Sequence, residues 1–487
     1  MAVISALESI VGSGNVYYES DILDDHSHDK SFVPSIRPRC IVKPRKRSEV
    51  EPIVKWANET LTPLIPISSG PPHFYGDTVP QVGGAVIVDL SGLKQIIRVD
   101  RRNRVATIEP GVTFPELIPA LYKEGLAPLI PFMPRPSKSV LTSFLESTPI
   151  TVPRHHWESM DPLGSVEVVY GNGDILWTGS AGCPGSIEEQ LLAGRALMRG
   201  MGPSQVDFTR LLQGAQGTIG IVTWGTIRCR PLFKVQKLFL VPSRAPDPLI
   251  DMAYELTYKK LGEDIFIINR SNLAAVLGHT RDEVDSLQKK LPAWILVFSI
   301  DGAGLLPEEK IAYQKIEADQ IAQRLGLKLK TAIPGAQADD IAHALYHPSQ
   351  GTYWKLRSGG ECSDLFFLTT MDKTPGFIQK MTELAGGHQY DASQMGVYIQ
   401  PCVQGVNCHL EFNCPYETDA PDDKENIKQF MTHSASEMAK MGGFFSRPYG
   451  EWNRVAYGRD IQTVIGQRRL KQIFDPNGIM NPGKLCF

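Results

Sequence analysis

The sequence contains no C-x-x-C pair, although it has eight cysteines. Zinc ribbons and ordinary iron–sulfur ligand runs therefore find no support. It has no excess of basic charge: 50 Lys and Arg face 53 Asp and Glu, for a formal net charge of −3. A general nucleic-acid binder, which needs a positive footprint, is disfavoured. No apolar run approaches the roughly 18 residues of a membrane-spanning helix. The start, Met1-Ala2-Val3-Ile4-Ser5-Ala6-Leu7-Glu8, lacks a basic stretch and carries an early acid. No signal peptide is expected, and a cytoplasmic location follows. Internal repeats and low-complexity tracts are also missing.

What is present is length and turn chemistry. At about 100–200 residues per domain, two to four domains are expected from 487 residues. A hydrophobic fraction of 42% allows a large core, and 43 Gly with 36 Pro imply many turns rather than a helical bundle.

The first 35 or so residues read as a polar, solvated arm, with an Asp/His-rich stretch whose His26 and His28 could bind a metal. From Arg37 to Arg230 strands and helices alternate. Residues 39–44 form a short strand ended by Pro44, and Ser48 is positioned to cap a helix through Trp56. Residues 85–90 and 104–109 read as strands, and Pro115 sits in the first turn of a helix. Residues 166–170, a Gly-Asn-Gly-Asp turn and residues 175–178 form a hairpin signal. Pro242, Pro246 and Pro248 mark a domain boundary. Beyond it, helices near 250–261, 308–325 and 422–441 mix with strands near 265–269, 294–300, 364–370, 396–401 and 408–413, an α+β pattern. Cys402, Cys408 and Cys414 recur at even spacing, which puts them on one face of extended chain, with His409 on the other. Buried thiols explain this trio, and no metal site is assigned.

Three segments carry candidate chemistry. The loop 66–76, Pro-Ile-Ser-Ser-Gly-Pro-Pro-His-Phe-Tyr-Gly, follows a strand and can expose N–H groups to a pyrophosphate. The run 211–223 spaces Gly214, Gly217 and Gly220 as G-x-x-G-x-x-G before a β-branched strand. That is not the dinucleotide fingerprint, which needs G-x-G-x-x-G and a following helix. The third, 474–484, is a helix end followed by two turns.

In this order and combination, segments 68–76, 109–112, 165–174, 214–222 and 475–484 resemble the vanillyl-alcohol oxidase/p-cresol methylhydroxylase family of FAD-dependent oxidoreductases. The block 167–185 looks most like its aryl-alcohol and alkylphenol branch. The resemblance implies an α+β, two-domain molecule: an FAD domain from residues 1–240, a cap over the flavin from 241–440, and a return at 441–487 that completes the FAD site. It would place the pyrophosphate on Ser68, Ser69, Gly70, Pro71, His73 and Gly76. Pro110, Gly111, Thr148, Asp161, Gly214, Gly217, Gly220 and Ile221 would line the cofactor, and Asn481 and Lys484 would close it.

For chemistry, the resemblance puts Tyr75 at the position of a phenolate-binding tyrosine. The branch's late Tyr-Arg pair is replaced by Phe444-Phe445-Ser446-Arg447, which leaves Arg447 as an anion-binding candidate. Glu158 lies nearest the place of an acid beside flavin N5, with His155, His156 and Asp161 as alternatives. His409 could face the substrate. Asp364 stands where vanillyl-alcohol oxidase carries its flavin-linking histidine, so FAD is expected to be non-covalent; His73 lies near another branch's attachment point, one residue out of register. The implied activity is hydride transfer from a small alcohol or phenol to flavin N5, followed by reoxidation by oxygen, a cytochrome or another carrier, including a protein electron acceptor. The alternatives are a 2-hydroxy acid dehydrogenase, although the H-x-G-D-G-N-x-H motif is absent, and a non-catalytic FAD electron relay. A homodimer is expected, with no metal and no nucleic acid.

Overall fold

The computed structural model describes residues 2–153, 162–195, 197–202, 206–302, 305–417, 421–458 and 460–487. Three sheets organise it. The first has the strand order Val16–Tyr17, Cys40–Val42, Val86–Asp89, Leu64–Ile67, with the last three parallel. Val86, Ile87 and Val88 are buried on both faces, which is why this stretch reads as an unbroken apolar run. The helix Val50–Thr60 covers one face with Val50, Ile53, Val54 and Ala57, spaced for a single helical stripe. Ser48 does not cap it. It lies inside a tight 3₁₀ turn, Arg47–Glu49, that leads straight into the helix.

The N-terminal segment is not a solvated arm. Helix Ala2–Val11 buries Leu7 and Val11 in the first body, with Val3, Ile4 and Ile10 packed beside them. Those positions form an apolar helical stripe hidden among polar neighbours. Further on, Lys30 crosses to the cap sheet and pairs with Glu361 at 2.6 Å. His26 and His28 bond local carbonyls, of Ile22 at 2.8 Å and Asp24 at 3.1 Å. No His/Cys/Asp/Glu group suited to a metal occurs among the described residues.

The second sheet runs Ile96–Asp100, Val105–Ile108, Gly220–Pro231, Leu163–Tyr170, Ile175–Trp177, with Leu126–Pro128 added to the long strand. The hairpin Leu163–Tyr170/Ile175–Trp177 turns through Gly173 at φ +86°, a conformation that favours glycine. Thr113 and Glu116 form a reciprocal capping box on helix Phe114–Lys123.

The third sheet is fully antiparallel, in the order Val235–Ser243, Trp294–Gly302, Ile265–Asn269, Gly396–Cys402, Asn407–Tyr416, Glu361–Thr369. Its first strand begins at Val235, so the chain changes sheet just after Pro231. The Pro242–Pro248 cluster instead ends that strand and opens helix Asp247–Tyr258. Helices Asp247–Tyr258, Pro307–Arg324, Thr374–Gly387 and Pro421–Lys440 cover one face of the sheet. Phe445, Tyr449 and Trp452 join that same core, so residues just after 441 still pack with the cap. The chain rejoins the first body where Met480 bridges Leu64. Among the described residues, no helix is long and apolar enough to cross a membrane.

Candidate active site

Between the first and second sheets, with Tyr449 of the cap core on its wall, a cavity of about 130 Å3 runs between two chain segments. Pro66, Ser68, Ser69 and His73 form one wall, and Gly214, Gly217, Gly220 and Ile221 the other, with Pro110 between them. Apolar side chains dominate; Arg135 and Lys138 also line the cavity, Lys138 paired with Glu146 at 2.6 Å. The three glycines differ. A Cβ on Gly217 would meet Pro66 at 2.4 Å, and one on Gly220 would meet the Val169 carbonyl at 2.7 Å. Both permit chain segments to approach each other, whereas Gly214, at φ +72°, faces open space.

Arg135 decides what the cavity suits. Its guanidinium reaches only the Gly70 carbonyl and His73, each at 3.4 Å, and it pairs with no carboxylate among the described residues. A buried cation without a counter-ion beside an apolar slot fits a flat ring joined to an anionic tail. Burial, and then Arg135 and Lys138, push the His73 imidazole down to about 3, so it is neutral. Burial followed by Glu146 raises the Asp77 carboxyl to about 6.

The remaining expected cofactor contacts lie elsewhere. Gly70 hydrogen-bonds through its N–H to Ser137, and Pro71 faces an outer groove. Gly111 packs where a Cβ would strike the Ser91 carbonyl at 2.5 Å. Thr148 lines an adjoining chamber. Asn481 ties the Asp77 carbonyl at 3.1 Å to that of Gln216 at 2.7 Å, and its own side-chain oxygen is buried without a partner. Lys484 donates to the carbonyls of Gly76 and Val79. Glu158 and Asp161, with His155 and His156, lie outside the described residues.

The adjoining inner chamber, about 90 Å3, shares Tyr75, Arg135, Lys138 and Glu146 with the first cavity. Sheet register sets the polar groups of its floor, Glu411 and His409, and those that support them. Asn413 opposes Asp364, Glu411 opposes Phe366 and Tyr398, and His409 opposes Gln400 and Leu368. Period-two alternation therefore gathers Asp364, Glu411, His409 and Asn413 on one face. Lys355, from the turn Trp354–Leu356, reaches Asp364 at 2.6 Å and Glu411 at 2.5 Å. Glu411 also meets His409 Nε2 at 2.8 Å and accepts from Asn413 at 2.7 Å. Tyr75 donates to Asp364 at 3.2 Å and stacks on Tyr449, ring centroids 4.7 Å apart. Tyr75 and His409 thus stand at two ends of one buried hydrogen-bonded chain.

Electrostatics follow from that wiring. Burial is the largest single influence on Glu411 and opposes its charge, but Lys355 and His409 together, through charge and hydrogen bonds, outweigh it and hold the carboxyl well below its usual range. Burial raises Asp364, with Lys355 opposing. Burial lowers His409, although Glu411 pulls the other way. Burial and the Asp364 charge raise the Tyr75 hydroxyl, which stays protonated. Arg447 is only 8% exposed and lies over the Phe366 ring at 4.3 Å. Its one hydrogen bond is to Thr148 at 3.4 Å, so it too has no carboxylate partner among the described residues.

Comparison with known proteins agrees with this layout. Residues 38–179 match an FAD binding domain, and residues 369–485 match the C-terminal domain of FAD linked oxidases; together they span more than half of the chain. The fold superposes on p-cresol methylhydroxylase with substrate bound at TM-score 0.85 and 19% identity, covering 100% of this chain and 96% of that one. The chain belongs to the vanillyl-alcohol oxidase/p-cresol methylhydroxylase family. As a member of that family it is an FAD-dependent oxidoreductase. The 4-cresol dehydrogenase [hydroxylating] flavoprotein subunit of Pseudomonas putida is 23% identical, over 99% of this chain and 94% of its own. The glycolate oxidase subunit GlcD of Bacillus subtilis is 22% identical, over 94% and 91%. Relatives of this FAD-linked oxidoreductase thus divide between phenol and hydroxy-acid names.

Proposed function

We propose that the protein oxidises a small aromatic alcohol or alkylphenol whose anionic oxygen is held by Arg447 in the inner chamber, beside Tyr75. The observation that carries this reading is Arg447: a buried guanidinium lining the chamber with no carboxylate partner among the described residues. Such a group favours an anionic ligand, held by charge-assisted hydrogen bonds. The walls, Phe132, Tyr353, Trp354, Phe366 and Tyr398, are aromatic and suit a planar ring.

FAD, bound in the neighbouring cavity, would supply the two-electron acceptor. Arg135 would meet its anionic part, Lys138 being paired with Glu146, and Gly214 would leave room for its approach. Tyr75 donates its one O–H to Asp364 and stacks against Tyr449, which fixes the ring as a wall of the chamber. His409 is the proton acceptor. Glu411 takes the Nε2 hydrogen, which leaves a lone pair on Nδ1 for a substrate hydroxyl. Lys355 keeps Glu411 ionised for that task. Asp364 is already bound by Lys355, Tyr75 and Asn413 and is not a flavin-linking side chain, which supports non-covalent FAD.

A 2-hydroxy acid is the second reading. It rests on the same Arg447, which can take a carboxylate bidentately, and on the likeness to the glycolate oxidase subunit. Anaerobic mixing separates the two. Bleaching of the flavin band at roughly 450 nm by 4-alkylphenols or vanillyl alcohol supports the first. Bleaching only by lactate-like acids supports the second. Reduction by neither, with reduction only by a protein partner, leaves an electron-relay subunit. In Arg447→Met, the productive donor should lose about 100-fold in kcat/KM, because a buried ionic contact worth about 3 kcal/mol is removed.

A further inference from the structure

The cofactor cavity has two neighbours. The inner chamber touches it at one end. A larger outer cavity, about 340 Å3, touches it along Phe74, Tyr75, Asp77, Gln216 and Tyr449. The two neighbours share only Tyr75, so a molecule in the outer cavity would face the cofactor but not the donor. The outer cavity is open to solvent where Thr432, Glu451 and Arg454 are exposed.

Its lining has a specific chemistry. Phe32, Phe74, Tyr75, Tyr449 and Trp452 offer flat aromatic surfaces. Two polar groups are left over among them. The Asn453 side-chain oxygen is shielded from solvent and accepts no hydrogen bond. Lys484 is buried, and its ammonium spends two of its three N–H groups on the Gly76 and Val79 carbonyls. A spare ammonium N–H in an aromatic slot suits a planar ring bearing a carbonyl oxygen, and the unmet Asn453 acceptor suits a hydroxyl that such a ring carries only once reduced. A buried polar atom with no partner is costly, which favours a ligand that completes it. The volume also falls in the range of small-ligand pockets, about 300–1,000 Å3.

We propose that the outer cavity binds a quinone-class electron acceptor, with Lys484 donating to one ring oxygen and Asn453 accepting from the hydroxyl that forms. The quinone takes two electrons and two protons from the reduced cofactor and leaves as the hydroquinone, which restores oxidised cofactor. The reading of the middle cavity as the FAD site underlies this assignment, but the identity of the donor does not.

The test uses the FAD-loaded protein. A short-chain dimethoxybenzoquinone is titrated into the oxidised enzyme by calorimetry. In parallel, enzyme photoreduced without oxygen is mixed with the same quinone, and flavin reoxidation is followed by stopped flow. Photoreduction needs no donor, so a wrong donor assignment leaves this test intact. Saturable binding is expected. Thr432→Trp, a surface substitution on the cavity wall, should cut both binding and the second-order reoxidation constant at least tenfold, with an unchanged flavin spectrum. Asn453→Ala should weaken binding of the hydroquinone product several-fold and leave binding of the oxidised quinone, which carries no O–H, unchanged. Unchanged binding and reoxidation in Thr432→Trp overturn the proposal, as does loss of quinone binding when the inner chamber is filled by Phe132→Trp.

Discussion

Along the strand Asn407–Tyr416, one face carries Cys408, Leu410, Phe412 and Cys414, and the other carries His409, Glu411 and Asn413. The first set packs into the helical layer of the cap and is completely buried. It is satisfied by removal from water, worth about 1.5–3 kcal/mol for a large apolar side chain. The second set is also withdrawn from solvent, and there withdrawal opposes the charges it hides. Desolvating an ion pair costs several kcal/mol per ion, so well-packed apolar residues could serve stability as well or better. What the ionic face provides is a preorganised set of donors and acceptors, which a packed hydrocarbon face cannot offer. One strand thus separates the work of holding the cap together from the work of its chamber.

The sharpest way to break that contrast is at His409. His409→Gln should slow cofactor reduction about 1,000-fold, equivalent to about 4 kcal/mol, while barely moving the thermal midpoint. Wild-type reduction should weaken only at acid pH. Burial lowers the His409 pKa beneath 6.5, the base is active only when neutral, and the rate falls as pH drops through that lowered value. The acid limb should vanish in the variant; if it persists, another group is the base. On the opposite face, Phe412→Ala should cost about 3 kcal/mol of unfolding free energy by denaturant titration, with little change in the reduction rate per folded molecule. The smallest effect is expected at Cys414→Ser, about 1–2 kcal/mol, because a hydroxyl replaces a thiol in the apolar layer. A large loss of reduction rate in either apolar-face variant would show that the two faces are not separable.

Most of the cap sheet was legible because apolar runs with turn residues between them mark antiparallel strands directly. Cys408, His409 and Cys414 even revealed the alternation that splits the two faces. The polar floor was less visible. Lys355 lies in a short turn, and Asp364 and Glu411 lie in two different strands, so only cross-strand register brings them together. The polar triplet His409, Glu411, Asn413 in an otherwise apolar strand was the available signal. Arg135 and Lys138 stood between proline-rich turns, with no periodicity to show which way they face. The helical stripe of Leu7 and Val11 was masked by acidic and small residues around it. The domain change was placed several residues late because prolines end the first cap-sheet strand rather than precede it.

The bridge from Met480 to Leu64, with Asp475 supporting the same turn, has a consequence for biosynthesis. The residues that edge the first sheet and anchor the 76–79 loop through Lys484 follow the whole cap in chain order. The ribosome therefore delivers both the loop and the cap before the piece that locks the loop in place. Anchoring of that loop is thus a late event for the nascent chain, and a polypeptide halted before residue 480 would emerge with its cap strands made and the 76–79 loop untied.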